Sequence, residues 1–256
     1  MNAVFEWIGR FFLRFFESTG HWFFLLWRTL AALPRAPLDH REWLRQMVRV
    51  GTDSIPVVAL TTLFTGMVMA LQTFTGFQRV HAENFVGSVV ALSMLRELSP
   101  VLVALMITGR VGSAMAAEIG TMRVTEQIDA LEAMATDPIH YLFVPRVVAG
   151  AVMLPLLVIL GDAIGVYGGY VVAVGLMGAN SVAYAQNTFQ FLELNDLWSG
   201  VVKAACFGLI LTVTGCVRAY LTTGGAEGVG AATTKAVVSG SIIILLADFF
   251  LTKLLF

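Results

Sequence analysis

Apolar residues dominate five stretches of the chain, each close to the roughly 20 positions that a helix needs to cross the hydrocarbon core of a bilayer. They run from Ile55 to about Gly76, Phe85 to about Gly109, Val144 to about Val174, Trp198 to about Tyr220, and Ala236 to Phe256. Ser54 is placed to N-cap the first, and Pro56 falls in its first turn, where a missing N–H costs nothing. The longest connections, Val111–Phe143 and Gly175–Leu197, leave no room for a soluble domain. No internal repeat and no low-complexity tract is present. The pattern predicts an all-α integral membrane protein with five transmembrane helices.

The first 50 residues follow another pattern. Glu6, Arg10, Arg14 and Glu17 share one helical face, and Phe5, Trp7, Ile8, Phe11, Phe12, Phe15 and Phe16 cover the rest. That predicts an amphipathic helix lying in the membrane interface, aromatic side down. Acidic residues and a Phe- and Trp-rich core set it apart from a signal peptide. His21–Leu33 is apolar but short and is interrupted by Arg28, which predicts a second interfacial or re-entrant helix. The expected organisation is therefore an interfacial segment over residues 1–50 and a five-span domain over 51–256.

Composition agrees with the pattern. The chain is 57% hydrophobic and 13% charged, about half the charge of a soluble domain. A water-soluble enzyme, a disordered chain and a secreted disulfide scaffold are all excluded. A net charge of −1 offers no basic excess for nucleic acid. Cys206 and Cys216 lie about 15 Å apart if their stretch is helical, too far for a disulfide within it. They read as small apolar side chains.

The distribution of positive charge predicts orientation. With the N-terminus inside, Arg10, Arg14, Arg28, Arg35, Arg41, Arg45, Arg49, Arg110, Arg123, Arg146, Arg218 and Lys235 are cytoplasmic. The outer side keeps Arg79 and Lys253. This bias predicts a cytoplasmic N-terminus and a C-terminus on the far side. The loop between spans two and three is then cytoplasmic, and the lysine- and arginine-free loop between spans three and four faces out.

Charges inside the spans are the first candidates for function, because each costs a few kcal/mol there. Arg96 and Glu97 fall near the middle of span two. Neighbours on a helix point about 100° apart, so each needs a partner on another helix or a wet cavity. Pro100 removes the hydrogen bond to the Arg96 carbonyl and invites a kink. The pair is read either as a polar cavity wall or as a structural ion pair locking two helices. Asp162, Lys203 and Asp248 lie in the outer halves of spans three, four and five. Lys203 is near enough to a helix end to snorkel, or to neutralise Asp162 or Asp248. Gln72, near the outer end of span one, is placed to line the same volume. Gly161, Gly165 and Gly169 form a small-xxx-small ladder for close helix contact, within the chain or between copies.

The stretch between spans two and three is the most unusual. Thr125 to about Met134 reads as a short helix, with Thr125 as N-cap and Asp137-Pro138 as the stop. Val124, Ile128 and Leu131 make an apolar stripe, and Glu126, Asp129 and Glu132 an acidic one. Such a helix suits docking in a partner's groove; equally, it suits a surface helix folded against the membrane face.

The segment ALSMLRELSPVLVALMITGRVGSAMAAEIGTMRVTEQIDALEAMATDP resembles the defining stretch of the MlaE family, the permease subunits of bacterial ABC systems that move phospholipids between inner and outer membranes. Leu95–Leu98, Gly109-Arg110, Gly112–Ala114, Ala117-Glu118, Thr125–Leu131 and Asp137-Pro138 fit that pattern, as do Pro145-Arg146 and Ala232–Val238. The likeness extends from about Met47 to the C-terminus. It implies an MlaE-like permease fold: a homodimer of five-span subunits in the bacterial inner membrane, with a lipid pocket between the copies. The helix at about 123–135 would be the coupling helix, presenting Glu126, Gln127, Ile128, Asp129, Leu131 and Glu132 to a cytoplasmic ATPase. A periplasmic lipid-carrying protein with an MCE domain, and in many systems a small cytoplasmic STAS protein, are implied partners. Arg96 and Glu97, with Gln72, Asp162, Lys203 and Asp248, are the candidates for lining or gating the pocket.

Other functions fit less well. The three lysines, Lys203, Lys235 and Lys253, do not follow a glycine, so there is no phosphate loop and ATP hydrolysis would fall to a separate subunit. No cofactor is expected in this chain. His21, His40, His81 and His140 lie outside the spans, against an intramembrane serine enzyme or a metal site. An ion-coupled secondary transporter is the alternative, since Glu97, Asp162 and Asp248 are suitable residue types; the missing inverted repeat counts against it.

Overall fold

A computed structural model describes residues 13, 20–32, 40–79 and 82–256. Apart from Leu13, the aromatic helix expected within residues 4–17 lies outside the described residues, as does Arg35. Helices joined by short turns make up the rest, with no strand among the described residues. Helix α1 (20–32) is followed by α2 (His40–Val50) and α3 (Ile55–Gln78). The second span is built from α4 (Val86–Ser93), α5 (Ser99–Ile107) and α6 (Ser113–Val124), joined by π-helical turns at Met94–Leu98 and Thr108–Gly112. Then come the short α7 (Gln127–Ala133), the long α8 (Val144–Tyr170), the surface helix α9 (Ser181–Gln190), α10 (Leu194–Tyr220) and α11 (Gly225–Leu255).

Five segments among the described residues are long and apolar enough to span a bilayer: His40–Gln78, Glu83–Val124, Ile139–Leu176, Leu194–Tyr220 and Gly225–Leu255. All five expected spans are present, but their ends differ from expectation. Span two continues past Gly109 to Val124, 42 residues in all. At about 1.5 Å per residue it outruns a bilayer core of about 30 Å. Tertiary contact explains the extension. Helix α6 packs on α10 and α11, burying Met115, Ala116, Ile119 and Gly120. Spans four and five likewise begin at Leu194 and Gly225 rather than Trp198 and Ala236.

Two expected caps are replaced. Ser54 sits at the start of α3, but its hydroxyl donates to the Val50 carbonyl (2.7 Å) and accepts from Arg110 Nη1 (2.5 Å). The tight turn Thr52–Ser54 joins α2 directly to α3, which leaves the side chain free for Arg110. Thr125 does not cap the short helix either. It ends α6, donating to the Thr121 carbonyl (2.8 Å). The reversal into α7 is made by Glu126, held in the left-handed region at φ 59°.

Helix α10 forms the centre of the bundle, against α8, α11, α6 and α5. Its core includes Ala204, Phe207, Leu211, Val213, Cys216 and Val217. Cys216 is buried, Cys206 half-buried, and both are free thiols. Helices α3 and α11 are peripheral, with rows such as Leu60, Phe64, Val68 and Ile242, Leu246, Phe249 exposed. The glycine ladder of α8 packs within the chain. Cβ atoms on Gly161 and Gly169 would press on Thr62 and Val90, and one on Gly66 of α3 would overlap the Gly165 carbonyl. Only paired glycines allow backbones that close. Helix α1 buries Leu25 and Ala32, leaves Phe23, Phe24, Trp27 and Leu30 exposed, and is pinned by Trp22 Nε1 donating to Thr214 Oγ1 (3.0 Å).

Candidate functional site

Three spans converge on Lys203. It is fully buried in α10, so it does not snorkel and instead neutralises Asp248, the other role the sequence left open to it. Its Nζ lies 2.7 Å from Glu97 Oε2, 2.7 Å from Thr252 Oγ1, 3.0 Å from the Arg96 carbonyl and 3.1 Å from Asp248 Oδ1. An ammonium has three protons. They serve the carbonyl, Glu97 and Thr252, while Asp248 is held by charge. The sequence accounts for the unusual carbonyl contact. Pro100 has no N–H to return to Arg96, the chain widens into the π-helical turn Met94–Leu98, and lysine takes the freed acceptor.

Arg96 points the other way. Its Nε donates to Asp196 Oδ1 at 2.7 Å, with Nη2 2.5 Å from the same oxygen, and its guanidinium lies 4.5 Å from the Phe256 ring centroid. Asp196 is buried in the first turn of α10, where its other oxygen accepts the Glu193 backbone N–H (3.0 Å). Arg96 therefore sits level with the end of a spanning helix, not at mid-membrane as its place in span two suggested. Adjacent residues thus tie span two to different points of span four. The side chains of Arg96 and Glu97 remain 38% and 39% exposed, so each presents charge to a surface while its partner is buried. Asp196, Thr252 and Phe256 are the members that sequence reasoning missed. Asp196 looks like a helix-start acid and Thr252 like one of many span threonines; neither carries a local signal of a partner some 50 to 100 positions away.

Asp162 is not part of this network. It is buried in α8, where the Ser99 hydroxyl of α5 is the polar group beside its carboxylate. Lys203, expected as a possible counter-ion, is engaged by Glu97 and Asp248 instead. Asp162 lines a cavity of about 470 Å³ under α9, walled by residues that include Leu95, Ile159, Tyr170, Tyr184, Thr188 and Leu197. Gln72 is apart from both. It is exposed on α3, in a groove with Phe64, Val68, Met69 and Leu98, away from Asp162 and Lys203.

At the opposite end, Glu118 of α6 binds Arg49 of α2 and the buried Arg146 of α8, each at 3.1 Å. Arg110 reaches the Arg49 carbonyl (3.2 Å) and Ser54. These contacts tie the first three spans together. In α7, Ile128 is buried and Leu131 half-buried, whereas Glu126, Gln127, Asp129 and Glu132 are exposed. Arg123 pairs with Asp129, and the Tyr220 hydroxyl donates to Glu132 (3.3 Å). Helix α7 is therefore fixed to α6 and α10 through Asp129 and Glu132, with Glu126 and Gln127 exposed beside them. No group of three metal-ligating side chains occurs among the described residues.

Five apolar spans, a buried ion network and an acidic helix at one end define a multi-pass membrane protein. Its sequence matches the family Permease MlaE over residues 43–254, and the chain belongs to that family. A probable ABC transporter permease protein of Rickettsia typhi is 48% identical over 97% of this chain and 96% of its own length. Another protein of that description, from Synechocystis, is 43% identical over 91% of this chain and 89% of its own. The intermembrane phospholipid transport system permease protein MlaE of Haemophilus influenzae is 37% identical over 97% and 96%, respectively.

Proposed function

We propose that this chain is the non-catalytic membrane subunit of an ABC transporter that moves phospholipids between the inner and outer membranes. The observation that carries the reading is the 37% identity, along nearly the whole chain, to a permease named for intermembrane phospholipid transport. The geometry supports it. A phospholipid needs apolar walls for its tails and a few polar groups near its head. The exposed rows of α3 and α11 supply the first, and Arg96 and Glu97, half exposed beside them, supply the second.

In this reading two copies meet across α3 and α11, and the lipid sits between them. Residues 1–50 form the interfacial segment and 51–256 the permease domain. The N-terminus is cytoplasmic and the C-terminus periplasmic, in the bacterial inner membrane. Helix α7 seats its acidic face on a cytoplasmic ATPase that hydrolyses ATP. An MCE-domain protein receives or delivers lipid in the periplasm, and a small STAS protein joins on the cytoplasmic side. Closure of the ATPases presses α7. Because α7 is bound to α6 and α10, the push reaches spans two and four directly. Spans one, two and five then narrow the pocket.

The test is lipid movement by the complex in proteoliposomes. Movement that needs ATP and survives a protonophore supports the proposal. Movement that ignores ATP and stops with the protonophore supports an ion-coupled transporter and overturns it. Orientation is read by labelling a cysteine at Met134, which is exposed, with an impermeant reagent on intact spheroplasts. Labelling there would place α7 outside and refute the scheme.

A further inference from the structure

Helix α1 and the chain just beyond α7 face each other across a cleft of about 310 Å³. We infer that α1 braces α7 from the bilayer side, with Arg28 and Asp137 as positioning residues that fix the angle at which α7 meets its ATPase. This rests on the reading above that α7 is the ATPase contact.

Three observations carry this. First, α1 has two faces. Leu25, Thr29 and Ala32 are buried at helical spacing, while Phe23, Phe24, Trp27 and Leu30 are exposed on the other side. Trp22 Nε1 holds the helix to Thr214 (3.0 Å), which lies about 9 Å along the axis from the end of α10 at Tyr220. The exposed aromatic row therefore lies near the border of the hydrocarbon, where indole rings settle, and the bilayer covers it. Second, α1 and α7 share a core. Trp22, Leu25 and Leu26 of α1 join Ile128 and Leu131 of α7 in one apolar cluster. Third, an ion pair crosses the cleft beside that core. Arg28 Nη2 lies 3.3 Å from Asp137 Oδ2, and among the described residues lining the cleft Arg28 alone comes from α1.

The path from Asp137 back to α7 is short and stiff. Helix α7 ends in a tight turn, in which the Ala135 N–H donates to the Glu132 carbonyl (2.9 Å) and the Thr136 N–H to the Leu131 carbonyl (3.0 Å). Ala135 sits there in the left-handed region at φ 57°, the conformation that closes a helix end. Asp137 follows at once, and its second oxygen accepts the Ile139 N–H (2.9 Å) at the entry to the third span. A displacement of α1 in the bilayer therefore moves the C-terminal end of α7. Arg123 and Tyr220 hold α7 through Asp129 and Glu132; Arg28 holds it from across the cleft. The side chains of the pair are 46% and 39% exposed. An ion pair so exposed is weak, which suits a contact that yields and re-forms as α7 is pressed and released.

The test is hydrogen exchange of the full-length chain in phosphatidylcholine nanodiscs, read by mass spectrometry over residues 127–136, with α10 as the reference for global folding. Arg28→Glu should speed exchange in that segment about two- to fivefold, the span expected when an exposed pair is lost. Arg28→Lys, which keeps the charge, should stay near wild type. Trp27→Ser removes a side chain that is 73% exposed on the bilayer face of α1 and should speed the same segment. In the complex, Arg28→Glu should retain the ATPase yet use more ATP per lipid moved by a similar factor, which a loss of stability alone would not produce. Unchanged exchange of α7 in Arg28→Glu or in Trp27→Ser overturns the brace. Faster exchange with unchanged ATP use per lipid overturns its role in coupling. If wild type moves lipid without ATP, the proposed function falls instead, and the exchange of α7 still decides whether α1 holds it.

Discussion

Replacing Lys203 by methionine tests the physical core of the structure. Methionine keeps the volume of the stem and removes the charge. Two carboxylates, 2.7 and 3.1 Å from Nζ, then face each other without their shared cation. At an effective dielectric of about 20, each contact at about 3 Å corresponds to about 5 kcal/mol of attraction. Much of that is offset by the cost of burying the ammonium, and Glu97 is 39% exposed and so partly screened. Removing one partner of a buried pair costs about 3–5 kcal/mol; the exposure of Glu97 points to the lower end, about 3 kcal/mol. The freed Arg96 carbonyl and Thr252 hydroxyl add to the loss. Adding Glu97→Gln and Asp248→Asn removes the stranded charges, so the triple variant should recover most of the stability. The assay is reversible unfolding in mixed micelles, followed by tryptophan fluorescence. The reasoning fails if Lys203→Met is as stable as wild type, or if the triple variant is no better than the single one. If the network also serves transport, the triple variant folds but moves no lipid.

Other expectations are separable from that one. Gly66→Ala places a Cβ against the Gly165 carbonyl, with backbone on both sides and no flexible side chain to yield; it should cost about 1–3 kcal/mol in the same unfolding assay, whereas Gly76→Ala, in open space, should be neutral. Arg96→Lys keeps the charge but loses the planar group that contacts Asp196 and lies over Phe256; lipid movement should fall severalfold with little change in stability, and unchanged movement would make the pair structural. Charge reversal at Glu126 and Gln127→Lys, both exposed, should lower co-purification of the ATPase while the chain stays inserted; full co-purification would remove α7 from the contact. Glu118→Gln weakens the contacts to Arg49 and Arg146 and leaves the latter buried with less compensation, which should destabilise the α7 end by about 2–4 kcal/mol.

The spans themselves were legible because membrane insertion is a local criterion. About 20 apolar residues in a row suffice, whatever lies elsewhere in the chain. The need of Arg96 and Glu97 for partners on other helices was legible for the same reason, since adjacent helical residues cannot satisfy each other. Helix ends were less so. Span two runs on to Val124 because α10 and α11 cover α6, a contact that no property of residues 109–124 announces. Thr125 looked like an N-cap by residue type, but a hydroxyl also caps the preceding helix when the chain has not yet turned, and the turn is made by Glu126.

The choice among partners belonged to the tertiary structure alone. Lys203 had Asp162 and Asp248 as candidate partners, and Glu97 was known only to need one on another helix. Which of them it meets depends on how α8, α10 and α11 rotate about their axes. Those rotations are set by close backbone contacts such as Gly66 on Gly165 and Gly150 on Gly208. Packing at those glycines turns Lys203 toward spans two and five, and leaves Asp162 apart from it, beside Ser99. Hydropathy depends on each residue's own side chain and can be summed along the sequence. Rotational register depends on pairs of surfaces, and so exists only once the helices have met.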